Sequence, residues 1–310
     1  MKQGSILRTA REARGVKLRA MAALTNYSPA YLSLIESGKR PVPQRIVDAY
    51  ERVLGTDLGR LSTVAGSAAN VDASSLREVA TMLASMRRIE DATGPVAVLP
   101  AVQGIGKMAE SFAEQANSAL AKRSAMIASE ISQYRGWLEL VTGADTASRQ
   151  SLARAVQLAE AANGPDQLAH ALSFTAYASL ARNQWHEAES YAEVVMSVAQ
   201  MHPLIRVYEN YQLARVHAVS GNTRAAQHTL ILADKAAEDS EGEEPPEAGY
   251  WYTMGFWCLQ RARVLWILGQ HERARDEVQH GLAEMPESHR SAEWATKWVR
   301  AANGETAVPH

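Results

Sequence analysis

The sequence predicts an all-α protein in which an N-terminal group of short helices is followed by an α-solenoid, a stack of paired helices. Three observations support this fold class. Alanine is frequent, whereas phenylalanine occurs three times and β-branched runs are scarce. Apolar residues recur at three- and four-residue spacing along most of the chain. Turn residues recur at intervals of 40, 38 and 48 residues in the second half, which indicates repeated helix pairs.

Residues 4–55 are predicted to form several short helices separated by turn residues. The third helix has the clearest start, because Ser28 suits the N-cap and Pro29 suits the first helical position. This helix is expected to run to Ser37, and a further helix from about Gln44 to Leu54. The turns are expected at Gly15, Asn26, Tyr27, Gly38, Pro41 and Pro43.

Charge is distributed unevenly along the chain. Residues 1–60 carry 11 Lys and Arg against five Asp and Glu, an excess of six positive charges, while the rest of the chain carries an excess of eight negative charges. A compact basic segment on an acidic body indicates that a polyanion binds the basic segment alone.

Two short helices joined by a three- or four-residue turn within a basic unit are a helix-turn-helix layout. The run AREARGVKLRAMAALTNYSPAYLSLIESGKRPVP resembles the Xre/Cro-type helix-turn-helix of bacterial and phage repressors, over residues 4–57. The resemblance implies double-stranded DNA as the partner, bound through the second helix of the motif. It also implies that Arg11 and Glu36 form an internal ion pair that ties the first helix to this recognition helix.

The outer face of the predicted recognition helix carries the candidate base contacts. Leu32 and Ile35 should face the core, while Ala30 and Leu34 can touch thymine methyl groups and Ser33 can donate or accept a hydrogen bond. Leu34 stands where many relatives carry a long polar side chain, which leaves open that the helix reads DNA by shape or that the module only packs against the body. The DNA-binding candidates are Arg19, Ser28, Pro29, Ala30, Tyr31, Ser33, Leu34, Ser37, Lys39 and Arg40.

A connecting region follows. Residues 58–74 are small and polar and predict a linker. Helical spacing returns over residues 75–90, and another long helix is expected over residues 99–122. We assign residues 75–123 to a helical connector that also suits dimerisation.

Four turn residues anchor a repeat in the body: Gly143, Asn183, Gly221 and Gly269. Small residues recur seven positions before, five after and twelve after these anchors, as close packing of paired helices requires. They are Gly136, Ala176, Ala214 and Ala262, then Ser148, Ala188, Ala226 and Ala274, then Ala155, Val195, Ala233 and Gly281. The pattern resembles tetratricopeptide-like repeats over residues 124–285. An exposed acidic loop is expected at residues 237–249 and a capping helix at residues 288–302.

In tetratricopeptide-like arrays, residues six, ten and thirteen positions before the turn line a concave groove. The resemblance therefore implies a groove between residues 130 and 266, where guanidinium and aromatic groups suit a short peptide or another small anionic effector. Two alternatives stay open: the aromatic side chains form the solenoid core, or acidic side chains on facing helices pair the arginines. The groove candidates are Trp137, Tyr177, Tyr208, Tyr211, Arg215 and Arg263.

Several function classes are disfavoured. The nine histidines are scattered, the single cysteine Cys258 has no evident base partner, and no G-x-S-x-G motif occurs, so we expect no metal, no cofactor and no enzymatic activity. No run of 18 uncharged apolar residues occurs, and the N-terminal residues lack the apolar segment of a secretory signal. We therefore expect a cytoplasmic protein without a membrane partner.

These features together resemble actinobacterial-type Xre regulators with a C-terminal tetratricopeptide-like domain, in a layout similar to Gram-positive peptide-pheromone receptors. They predict a sequence-specific transcriptional regulator, homodimeric, whose helical-repeat body senses a peptide, a small anionic ligand or a protein partner. The alternative is an interaction adaptor whose solenoid binds a partner protein and whose N-terminal helices only dock. The expected regions are a helix-turn-helix domain at 1–57, the linker at 58–74, the connector at 75–123, repeats at 124–285, and a cap and tail at 286–310.

Overall fold

A computed structural model describes residues 3–59 and 71–307. All regular secondary structure in these residues is helical, which confirms the predicted fold class of an N-terminal helix-turn-helix followed by helix pairs. Most of the predicted linker at 58–74 lies outside the described residues. The chain divides into two compact units, Met1–Asn163 and Gly164–His310, and this division falls within the region predicted as one repeat domain.

The described residues of the first unit form four short helices followed by four longer ones. They are α1 (Gln3–Ala13), α2 (Leu18–Thr25), α3 (Pro29–Glu36), α4 (Gln44–Leu54), α5 (Ala73–Thr93), α6 (Pro95–Gln115), α7 (Ser118–Val141) and α8 (Asp145–Ala162).

The predicted starts and stops of the short helices are confirmed. Asn26 ends α2 with a φ of 57°, and Gly38 follows α3 with a φ of 69°, both in the left-handed region. The Ser28 hydroxyl accepts a hydrogen bond from the backbone N–H of Tyr31 at 3.2 Å, so Ser28 is the N-cap of α3. Pro29 occupies the first helical position.

The core of the first unit continues from the short helices into the longer ones. Leu32 and Ile35 of α3 are fully buried in the same apolar cluster as Ile105 of α6. Helix α1 packs against α5 and α6. At the contact with α6, a Cβ on Gly104 would lie 2.6 Å from Oγ1 of Thr9, so a larger residue at 104 would force the Thr9 side chain to shift. The short helices therefore pack as part of a larger unit.

The prediction of one long helix over residues 99–122 is wrong, because the chain forms two helices there. Helix α6 ends at Gln115, and α7 begins after Asn117, whose side chain accepts a hydrogen bond from the N–H of Leu120 at 3.2 Å. Phe112, Ala116 and Leu120 keep a four-residue spacing across the break, so periodicity alone missed it. The Asn cap supplies an alternative partner for the backbone and starts a new helix.

The second unit is built from three helix pairs and a C-terminal segment. They are α9 (Pro165–Ala181) with α10 (Trp185–Ser197), α11 (Pro203–Val219) with α12 (Thr223–Asp239), α13 (Met254–Ile267) with α14 (His271–Glu284), and then α15 (Glu287–Arg290) and α16 (Thr296–Ala302). In the first unit, α7 and α8 form a similar pair.

The predicted anchors are the turns inside these four pairs. Gly143, Asn183, Gly221 and Gly269 have φ values of 84°, 60°, 81° and 77°, which is the left-handed conformation that ends a helix. All twelve small residues predicted from the repeat offsets are buried. Each pair therefore packs through the small side chains that the spacing indicated.

Two predictions about the second unit need correction. The capping helix over residues 288–302 is interrupted, because Ala292 is extended and the Ser291 hydroxyl donates to the carbonyl of Ser288 at 3.3 Å instead of supporting a continuous helix. The acidic loop starts later than residue 237, because α12 continues to Asp239. Its residues 241–245 are exposed as predicted.

Candidate nucleic-acid interface and ligand cavity

The structure places the DNA-binding candidates on the surface of α2, α3 and the turn that follows α3. Tyr31 is half-buried and the other nine residues are exposed. On α3 the exposed set is the face opposite Leu32 and Ile35, as the helical spacing predicted. Leu34 exposes 37% of its surface, so part of its apolar side chain can contact a partner.

Fixed backbone geometry surrounds this face. The N–H groups of Lys39 and Arg40 both donate to the carbonyl of Leu34, at 2.9 and 3.1 Å, which holds the basic turn against the end of α3. The Arg40 guanidinium lies 5.6 Å from the ring centre of Tyr31. No side chain caps the start of α2 at Lys17. Uncapped N–H groups at a helix start and cations on a fixed turn suit phosphate oxygens.

A buried ion pair supports α3 from behind. Nε and Nη2 of Arg11 donate to the two carboxylate oxygens of Glu36, at 2.6 and 2.7 Å, and the Tyr50 hydroxyl donates to Oε1 of Glu36 at 2.9 Å. Burial alone would lower the pKa of Arg11, but the hydrogen bond and charge of Glu36 raise it. Burial, then the charge of Glu36, raises the pKa of Tyr50. The predicted pair is therefore present and fully hydrogen-bonded.

Comparison with known families bears on this part of the chain. Residues 4–64 match the family model of a helix-turn-helix domain. None of the curated proteins compared with the chain matches it significantly. One similar solved structure is Bacillus thuringiensis PlcR in complex with the peptide PapR7 and DNA, with 13% sequence identity, coverage of 91% of this chain and 94% of that chain, and a TM-score of 0.44.

Outside the helix-turn-helix domain, the six groove candidates belong to two units and have different surroundings. Trp137 belongs to the first unit, where it stacks on Tyr134 with 5.9 Å between ring centres. Tyr208 stacks on Tyr252 at 5.4 Å and is buried. Tyr211 is also buried, stacks on Trp257 and donates its hydroxyl to Asp234 at 2.9 Å. The environments of Tyr208 and Tyr211 are those of core side chains.

Tyr177 and Arg215 do come together, at a cavity of about 580 Å³ in the second unit. The guanidinium of Arg215 lies 5.0 Å from the ring centre of Tyr177. Two lining residues, Trp185 and Trp266, were missed by the sequence analysis. Both tryptophans lie within three residues of a repeat anchor. An aromatic residue beside the turn was therefore the sequence feature that could have predicted their place in the cavity wall. Apolar side chains complete the wall: Leu180, Val219 and Ile267.

Acidic partners, the alternative considered for the two arginines, do not occur in the described residues. Nε and Nη1 of Arg215 are buried without a hydrogen-bond partner there. Nη1 of Arg263 donates to Oε1 of Gln260 at 3.3 Å, and its guanidinium lies 5.1 Å from the ring centre of Trp298. Burial, then the charge of Arg263, lowers the pKa of Arg215.

The sequence did not indicate the buried carboxyl group of Glu209. Glu209 of α11 exposes 2% of its surface, and its Oε1 has no hydrogen-bond partner in the described residues. Burial raises the pKa of Glu209 to about 8, with a weaker opposing effect from Ser173. A protonated carboxyl at neutral pH follows from this environment.

Other chemistry is sparse in the part of the chain that the structure describes. No group of three His, Cys, Asp or Glu side chains there is arranged to hold a metal ion. No described helix has both the length and the hydropathy to cross a bilayer. Burial, then the nearby charge of Glu277, raises the pKa of Cys258 to about 11, so this thiol stays protonated at neutral pH.

Proposed function

We propose that the chain is a sequence-specific DNA-binding transcriptional regulator of the Xre type. The exposed face of α3 carries the proposal: its N-terminus is capped by Ser28, its inner side is buried, and a fixed basic turn with Lys39 and Arg40 follows it. In such domains the N-terminal part of this helix enters the major groove. A chromosomal DNA partner fits the predicted cytoplasmic location.

Two chains act together in this proposal. One domain with six surplus positive charges makes few phosphate contacts and binds a half-site weakly. A homodimer doubles these contacts and reads two half-sites about one helical turn apart, near 34–36 Å. The helices at 75–123 and the C-terminal helix α16 are the proposed dimer contacts.

The helical body is proposed to sense a peptide, a small anionic ligand or a protein partner. The observation in support is the cavity beside Arg215, which lies in a helix-pair unit outside the DNA-binding domain. A ligand that prefers one arrangement of the helix pairs would change the affinity for DNA by the same factor by which DNA changes the affinity for the ligand.

Selection from a random duplex library tests the function. The purified full-length chain should enrich a motif with two-fold symmetry, and a variant with Ser33→Glu and Leu34→Glu should not, because two carboxylates on the exposed face of α3 repel the DNA without disturbing the core. A variant with Gln at two exposed positions outside the domain, Arg224 and Lys235, changes the net charge by the same two units and is the charge-matched control for repulsion.

Failure of the full-length chain to enrich any duplex motif would refute the proposal. Capture of a protein partner without duplex enrichment would instead support the adaptor alternative, in which the N-terminal helices only dock.

A further inference from the structure

The guanidinium of Arg215 is an unusual group to find inside a helix pair. The residue exposes 8% of its surface, and two of its nitrogen atoms, Nε and Nη1, are buried without a hydrogen-bond partner in the described residues. The carbon of the guanidinium lies over the Tyr177 ring, 5.0 Å from the ring centre, which is a cation–π contact. This contact supplies no hydrogen-bond acceptor to Nε and Nη1.

The charge of this group is also uncompensated. The titratable groups that act on Arg215 are Arg263, Tyr177 and Tyr208, and no carboxylate is among them. Glu209 lies on the same helix, but burial and Ser173 account for its shifted pKa, so it does not act as the counter-ion. Burying a cation costs several kcal/mol unless a counter-charge or hydrogen bonds offset it. Because the neighbouring cations Arg215 and Arg263 have no acidic partner, an anion is the group that would complete this site.

The cavity that Arg215 borders has the size and lining of a small-molecule site. Its volume of about 580 Å³ lies in the range of ligand pockets, roughly 300–1,000 Å³. Tyr177, Trp185 and Trp266 supply aromatic surface beside the apolar side chains Leu180, Val219 and Ile267. One cation on an aromatic and apolar wall matches a ligand with one anionic group and a flat apolar body.

We propose that this cavity binds a small organic anion, with its anionic group against Arg215 and its apolar body against Tyr177 and Trp266. The ligand class deepens the proposed function and rests on it for a regulatory meaning, while the binding itself is measured without DNA. A bound anion would neutralise Arg215 and fix the packing of α9, α11 and α13, the three first helices of the pairs in this unit.

Two probes of similar shape separate charge from apolar contact. The probe 1-anilinonaphthalene-8-sulfonate carries one anionic group, and N-phenyl-1-naphthylamine has the same rings without it. The full-length chain should bind the anionic probe at least about tenfold more tightly than the neutral one, since one charge-assisted hydrogen-bond pair contributes this much. Indole-3-acetate should displace the anionic probe, and inorganic phosphate at the same concentration should not.

The variants locate the charge. Arg215→Gln should reduce the preference for the anionic probe about tenfold, with unchanged affinity for the neutral probe. Arg215→Lys keeps the charge but loses the planar donors. Its preference for the anionic probe should therefore lie between that of the unsubstituted chain and that of Arg215→Gln. The matched control is Arg224→Gln, which removes an exposed cation of the same unit and should bind both probes like the unsubstituted chain.

Melting curves test whether each variant is folded. If Arg215→Gln is impaired, Arg215→Lys still tests the role of the planar donors. The proposal is overturned by an unchanged preference in Arg215→Gln, by an equal loss in Arg224→Gln, by displacement with phosphate as effective as with indole-3-acetate, or by no binding of the anionic probe. Because the probe experiments contain no DNA, none of these results contradicts the DNA-binding proposal. A failure to bind DNA would likewise not contradict the proposal that the cavity binds an anion.

Discussion

Arg11 of α1 and Glu36 of α3 are joined through two parallel hydrogen bonds of 2.6 and 2.7 Å in the interior of the first unit. Both side chains are more than nine-tenths buried, so neither charge is solvated by water. The pair fixes the direction of α3 relative to α1 and therefore the direction of the exposed face that the proposal assigns to DNA. Its two partners are far apart in sequence, and only the fold brings them together.

Breaking this pair should destabilise the first unit strongly. Arg11→Met leaves the Glu36 carboxylate buried without its counter-ion, which should lower the free energy of unfolding by about 3–5 kcal/mol. Urea denaturation followed by circular dichroism measures the change. The control is Arg8→Met, which breaks an exposed pair with Glu12 on the same helix and should cost below about 1 kcal/mol. Equal losses in both variants would contradict a special role for the buried pair.

Arg40 is expected to contact a phosphate. Arg40→Ala should weaken binding to all duplexes similarly and reduce the slope of log affinity against log salt by about 1 unit. Titrations over a series of salt concentrations give the slope. Arg224→Ala removes an exposed cation outside the DNA-binding domain and should leave the slope unchanged. If Arg40→Ala does not alter the slope, Arg40 does not contact a phosphate.

Glu209 should make the second unit less stable as the pH rises. The carboxyl releases its proton near pH 4.5 in the unfolded chain and near pH 8 in the folded chain, so the unfolded state is favoured progressively between these values. Glu209→Gln should remove this dependence and stabilise the chain at pH 8 on the order of a few kcal/mol.

Melting temperatures of both chains across this pH range provide the measurement. Glu284→Gln, at an exposed position of the same unit, is the control and should melt like the unsubstituted chain. Parallel pH profiles for the unsubstituted chain and Glu209→Gln would show that Glu209 does not hold a proton in the fold.

Replacing Arg215 with methionine should have the opposite effect on stability to replacing Arg11. Replacing an unpaired buried cation with an apolar side chain of similar length removes a desolvation cost, so Arg215→Met should stabilise the ligand-free chain by about 1–3 kcal/mol. Thermal unfolding of the ligand-free protein tests this. A loss of stability as large as that of Arg11→Met would mean that Arg215 is a structural residue with a counter-charge of its own.

Local patterns carried most of the fold prediction. The Ser-Pro start of α3, the four left-handed turn residues and the small residues at fixed offsets depend on neighbouring positions, and the structure contains all of them. The break between α6 and α7 was missed because the apolar spacing runs through Asn117, and an Asn inside such a pattern is either a cap or a surface residue.

The ligand cavity was harder to predict, because its residues come from helices far apart in sequence. The offset of six positions before the turn placed Tyr177 and Arg215 in one row, and both line the cavity. The offsets of ten and thirteen positions added Tyr211 and Tyr208 to the same predicted groove, and the aromatic cluster around Tyr252 buries these two side chains. The burial of Glu209 depends on packing across the helix pairs, and no spacing within α11 indicates it.

Sequence-specific recognition through α3 is the central claim, and one comparison of affinities tests it most directly. Fluorescence anisotropy with a selected duplex and a scrambled duplex of equal length gives the ratio of the two affinities at one salt concentration. The ratio should be roughly 1,000 or more for the unsubstituted chain. In Ser33→Ala and Leu34→Ala the ratio should fall while the affinity for the scrambled duplex stays within about twofold. Equal affinities for the two duplexes in the unsubstituted chain, or a ratio that neither substitution alters, would contradict the claim.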